Sequence, residues 1–120
     1  MVIPDSATDL QQRGAAAFNK RHFETALPLL DEQLHTQPTD TFTMLYKGIA
    51  LMELDSLTAA RHLFAPIFHS KHALQYDAAF YTALTYEREH DPGQALNWLA
   101  KIPEGAPNYN KAQQMTNELR

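Results

Sequence analysis

Apolar residues along this chain recur at offsets of three and four, the spacing that lines one side of a helix, and short polar breaks interrupt the runs. Leu10, Gly14, Ala17 and Phe18 share one side of a first predicted helix, which ends near Asn19. Ser6 with Asp9 three residues on resembles a capping box at its start. A second helix, from about His22 to Thr36, places Phe23, Ala26, Leu27, Leu30 and Leu34 inward. Pro28 lies inside it and removes one backbone bond, which predicts a slight bend. Thr39 or Asp40 caps a third helix that runs to about Leu54 and carries Met44, Leu45, Ile49, Leu51 and Met52. Ser56 caps a fourth with Leu57, Ala60, Leu63, Phe64, Ile67 and Phe68, which Pro66 should kink or shorten. A fifth helix spans roughly Gln75 to Glu89. Asp91-Pro92-Gly93 supplies a cap and a first-turn proline for a short sixth helix that ends near Ile102-Pro103. A seventh, Asn108 to Leu119, carries one apolar stripe of Tyr109, Ala112, Met115 and Leu119, the pattern of a terminal helix that covers an open end and faces water.

The breaks are periodic. Gly48, Ala60 and Phe64 become Gly14, Ala26 and Leu30 on stepping back 34 residues, and Ala83, Ala95 and Leu99 on stepping forward 35. Pro38 and Pro107 each follow Ala26 and Ala95 by 12 residues. A fixed period of this length marks an array of stacked helix pairs, with small residues where the helices of a pair cross. An ordinary antiparallel bundle has no reason to repeat small residues in register.

Composition narrows the function. The 120 residues are 44% hydrophobic and 20% charged, which suits one folded domain. The net charge of -4, with no Lys/Arg block, argues against nucleic acid or an anionic membrane as partner. No apolar run approaches a membrane span, and the start has no signal-peptide pattern. A complete gene product of this kind is expected in the cytoplasm. Cysteine is absent, which excludes disulfides and thiol chemistry.

The register of small residues, of Leu30, Phe64 and Leu99, and of the two prolines resembles the tetratricopeptide repeat over nearly the whole chain. The resemblance implies an all-α, short right-handed superhelix of antiparallel pairs. Its repeats lie at about 7–40, 41–74 and 75–107, with a capping helix at 108–120, in a single domain. The sequence departs from that pattern at Leu10, Met44 and Ala79 in the tryptophan place, and His72 stands where the middle repeat's proline would be. The family's concave groove binds an extended or helical peptide. Its lining places match Gln11, Gln12, Ala15, Phe18 and Asn19 in the first repeat. The second supplies Phe42, Leu45, Tyr46, Ile49, Met52 and Glu53, and the third Asp77, Phe80, Tyr81, Leu84, Glu87 and Arg88. From these, Phe42, Tyr46, Ile49, Phe80 and Tyr81 are the expected wall, with Glu53 and Arg88 at the rim. The lysines and asparagines with which one subclass grips a chaperone's C-terminal carboxylate are missing: those places hold Gln11, Ala15, Tyr46, Asp77 and Tyr81.

Catalysis finds no support. The six histidines lie in turns or at exposed helix positions, without a HExxH arrangement. Ser6, Ser56 and Ser70 have no Gly-x-Ser-x-Gly context, and no glycine-rich phosphate loop is present. The expectation is a non-catalytic module that binds a protein or peptide, with no cofactor or metal. Its alternative is a structural role, by self-association or as the assembly domain of a larger membrane-tethered protein. Gln75 to Leu119 resembles the C-terminal ends of bacterial membrane-anchored tetratricopeptide proteins, and a fragment of that kind would be periplasmic.

Overall fold

A computed structural model describes residues 1–3 and 7–120. The fold is all-α. Seven helices are found among the described residues: α1 (Asp9–Asn19), α2 (Phe23–Thr36), α3 (Thr41–Glu53), α4 (Leu57–His69), α5 (Gln75–Arg88), α6 (Pro92–Leu99) and α7 (Tyr109–Leu119). The chain falls into two compact units, Met1–Leu63 and Phe64–Arg120, and the division lies inside α4 rather than at a repeat boundary. None of these helices is long and apolar enough to cross a membrane.

The starts of α1, α3 and α6 follow from side chains that satisfy orphan backbone N–H groups. Asp40 accepts from the Thr43 N–H at 3.3 Å to begin α3, and Asp91 accepts from the Gln94 N–H at 3.1 Å to begin α6. At α1 the predicted cap is replaced. The Thr8 hydroxyl accepts the Gln11 N–H at 3.2 Å, and the Gln11 side-chain oxygen Oε1 accepts the Thr8 N–H at 2.9 Å. The capping box is therefore Thr8 with Gln11, and Asp9 is the first helical residue. Ser6 lies outside the described residues. Pro66 does not shorten α4, which continues three residues past it to His69.

The ends of α1, α3 and α5 follow a second, shared rule. Arg21, Asp55 and His90 have φ of 62°, 66° and 62°, the left-handed region. Each is flanked by the same pair of backbone bonds. The N–H groups of Arg21, Asp55 and His90 reach the carbonyls of Phe18, Met52 and Glu87, each at 2.9 Å. Those of His22, Ser56 and Asp91 reach Ala17, Leu51 and Tyr86 at 2.8–2.9 Å. These are three Schellman turns, at the 34- and 35-residue spacing of the sequence repeat.

All nine repeat anchors are buried. Ala26, Ala60, Phe64, Ala83 and Ala95 are fully enclosed, Leu30 and Leu99 nearly so, and Gly14 and Gly48 are in the buried class. In the first unit, α1 packs on α2 and α2 on α3. Ala17, Phe23, Ala26, Leu30 and Ala50 form their common core. In the second unit, α5 packs on α6 and α6 on α7, around Ala79, Phe80, Ala83, Leu99, Ile102 and Ala112. Tyr109, Met115 and Leu119 of α7 pack against that core, as the stripe predicts. The expected inward place of Leu34 is corrected: it is half-buried, and Gln33 is the buried neighbour. The Gln33 amide is satisfied by the Gln37 side chain at 3.3 Å, which removes most of the cost of enclosing it.

Candidate functional site

The first unit carries an open apolar cleft of about 840 Å³. Its floor is built by the start of α3. Asp40 holds Thr43 twice, at the backbone and at the hydroxyl, where Thr43 Oγ1 donates to Asp40 Oδ2 at 2.6 Å. That fixes the first turn and leaves Phe42, two residues after the cap, pointing away from the core at 50% exposure. Tyr46, one turn on, is half-buried. Its ring meets Phe18 of α1 edge-on with centroids 5.1 Å apart, and Phe18 meets Phe23 in the same way at 5.4 Å. Gln11 of α1, the α2–α3 turn at Pro38 and Thr39, and the segment Met1–Ile3 complete the lining. The two strongly exposed large apolar side chains among the described residues, Val2 and Phe42, both line this cleft. Clustered exposed apolar groups on a concave surface are the usual mark of a binding site.

Met1 is held there by Asn19. The Met1 amino group donates to Asn19 Oδ1, and Asn19 Nδ2 donates to the Met1 carbonyl oxygen at 3.0 Å. The Met1 side chain packs against the first unit's core, as do Phe18 and Tyr46. Burial pushes the pKa of the Met1 amino group below its ordinary value.

The expected wall divides. Phe42 and Tyr46 share the cleft. Ile49 and Phe80 do not belong to an open wall: at 8% and 5% exposure both are buried, Phe80 within the core of the second unit. Phe80 is further covered by Lys111, whose Nζ lies 4.6 Å from the ring centroid. Leu45 and Met52 of the wider set are buried as well. Glu53 is not a free rim charge. It pairs with Arg21 at 3.0 Å, and its side chain is 16% exposed. Arg21 also lies 5.2 Å from the Phe23 ring centroid, so the pair joins the end of α3 to the α1–α2 turn. In the second unit Tyr81 is half-buried, stacked on Phe64 with centroids 6.0 Å apart and edge-on to Phe80 at 5.9 Å. Arg88 is exposed at the last residue of α5.

Sequence reasoning missed Met1–Ile3 as part of the lining. Three residues have no periodicity to read, and they were informative only as lacking a signal-peptide pattern. The histidine in the middle repeat's proline place acts locally. His72 Nδ1 accepts the Leu74 N–H at 3.0 Å and shapes the turn before α5. Among the described residues, no group of three or more His, Cys, Asp or Glu side chains is placed to hold a metal ion. No model of a known protein family matches the chain, and no curated protein matches it.

Proposed function

We propose that the chain is a tetratricopeptide-like module that binds a peptide segment of a partner protein and performs no catalysis. The observation that carries this reading is the cleft of the first unit, where Phe42, Val2 and the Tyr46 ring offer apolar surface beside the polar groups of Gln11 and Thr39. Its support is the repetition of one turn geometry at Arg21, Asp55 and His90, in step with the buried small residues. That is how an array built from one helix-pair unit is made. The net charge of -4 favours a protein or peptide over nucleic acid.

The test is co-purification from the native host with the wild type and with Phe42→Ala. Phe42 is half-exposed, so its truncation should change stability by no more than about 0.5 kcal/mol. A central apolar anchor of an interface contributes at least ~1 kcal/mol to binding. The expected result is a folded variant, by circular dichroism, that captures markedly less of a partner identified by mass spectrometry. Undiminished capture by the folded variant would place binding elsewhere. A wild-type mass that grows with concentration, in the absence of a partner, would favour self-assembly instead.

A further inference from the structure

The start of α5 is held differently from those of α1, α3 and α6. Those three are capped by a side-chain oxygen of Thr8, Asp40 or Asp91. The N-cap residue of α5, Leu74, makes no side-chain cap bond. The first turn is held instead from His72, two residues earlier. His72 Nδ1 accepts the Leu74 N–H at 3.0 Å, and the His72 carbonyl oxygen accepts the Gln75 N–H at 2.9 Å. Behind His72 the Ser70 hydroxyl accepts the His72 N–H at 3.3 Å and donates to the Ile67 carbonyl oxygen at 2.8 Å. Lys71 between them has φ 59°, in the left-handed region. The whole turn lies within the second unit.

A backbone N–H only donates, so the ring nitrogen that receives it must present a lone pair. The bond therefore belongs to the neutral imidazole with its proton on Nε2. Protonation puts a hydrogen on Nδ1 and turns the acceptor into a second donor facing the Leu74 N–H. It also sets a cation at the start of a fourteen-residue helix, where the aligned peptide dipoles disfavour positive charge. Both effects act in one direction. The arrangement matches the turn in which an Asn or Asp oxygen accepts the N–H two residues on, with a titratable nitrogen in place of the oxygen. The charged and titratable groups of the elements that meet here are His69 at the end of α4, Lys71 in the turn, and Tyr76 and Asp77 in the first turn of α5, with Lys111 of α7 acting on Asp77. Lys71 repels an imidazolium, and Asp77 attracts one.

We propose that His72 is a pH-sensitive latch on the start of α5: the neutral ring holds the Leu74 N–H and closes the turn, and the protonated ring releases it and loosens the first turn of the helix. Imidazole is the side chain that ordinarily changes charge between about pH 5 and 8, so the latch opens on mild acidification and recloses on return.

The test is nuclear magnetic resonance on the full chain, labelled with nitrogen-15, as wild type and as His72→Asn. At about pH 7.5 the wild-type ring should show Nδ1 without a proton. Protection of the Leu74 amide against hydrogen exchange, normalised to its intrinsic rate, should fall about fivefold by about pH 5, the loss of one hydrogen bond of ordinary net strength. The midpoint should coincide with the titration of the His72 ring resonances. In His72→Asn the side-chain oxygen accepts the same N–H at every pH, so the step should vanish while the other five histidines remain.

A proton on Nδ1 at the higher pH overturns the bond on which the latch depends. Leu74 protection that ignores pH, or that changes where the His72 ring does not titrate, overturns the latch. A step that persists in folded His72→Asn belongs to another group and overturns it equally. If His72→Asn does not fold, the tautomer and the coincidence of midpoints in the wild type decide the matter alone.

Discussion

Gly14 lies against the α2 side chains, and a methyl group added to it meets Leu29 Cβ and Leu30 Cδ2 at 3.6 Å, ordinary van der Waals contact. The helix crossing therefore requires a small residue here and not glycine itself, which agrees with Ala83 in the equivalent place of the third pair. Gly14→Ala is expected to stabilise the chain by about 0.5–1 kcal/mol through helix propensity. Gly14→Leu would overpack the crossing and cost roughly 1–3 kcal/mol. Thermal melts of the two variants should move in opposite directions. The residue scale also contains one adverse charge. Burial holds the Asp77 carboxyl above the ordinary carboxylate range, although Lys111 and a backbone hydrogen bond pull the other way. A carboxyl with a raised folded-state pKa favours the folded state while protonated and loses that contribution as pH rises through the folded value. Asp77→Asn should accordingly gain stability over the wild type near neutral pH, and the difference should shrink as pH falls into the acid range. A denaturation series across pH reads both ends. The sequence made Gly14 legible as a crossing residue, because its position repeats. The burial of Asp77 had no such signal, since its neighbours on α7 are distant in the chain.

Helices of 8 to 14 residues are marginal by themselves and hold only through the faces they bury. Helix α7 is the clearest case. Its stripe of Tyr109, Ala112, Met115 and Leu119 was readable from spacing alone, and these residues close over Phe80, Leu99 and Ile102. Asn108 adds a polar fastening, donating to the Tyr76 carbonyl oxygen at 3.0 Å. Without residues 108–120, that apolar core would face water, and exposed patches of this kind promote association. The truncated chain should melt at a lower temperature and gain mass with concentration in light scattering. A truncated chain as stable and monomeric as the parent would show that α7 is no cover. The partner of α7 was less legible than its stripe. The stripe packs on a core drawn from two helices, Leu99 of α6 with Ala79, Phe80 and Ala83 of α5, which no spacing within α7 encodes.

At the scale of the whole molecule, the division between the two units runs through α4, with Leu57 and Ala60 on one side and Phe64 and Ile67 on the other, all buried. A fragment ending at Leu63 retains only the first half of a thirteen-residue helix. It should show less helix per residue by circular dichroism than the full chain, since seven residues cannot sustain a helix alone. Equal helicity would make the first unit self-sufficient. The order of the helices and the buried small-residue register were legible because both repeat, and each repetition is independent testimony to the same unit. The cleft was legible only in part: Phe42 and Tyr46 came from matching places along a helix, whereas the Met1–Asn19 bonds join residues 18 positions apart that share no pattern. The turns were the least legible of all, because glycine, the residue that normally signals a left-handed backbone, occurs at none of them. Arginine, aspartate and histidine occupy those three positions, at a conformational cost of roughly 1–2 kcal/mol each. His90→Gly should recover about 0.5–1 kcal/mol of it, measurable by urea denaturation. That cost has a counterpart. Since the same two main-chain bonds close each bend, its path does not depend on which side chain stands there. One backbone position thus carries a cation, an anion and an imidazole in successive pairs, and each pair can be given its own chemical label without any change in the path of the chain.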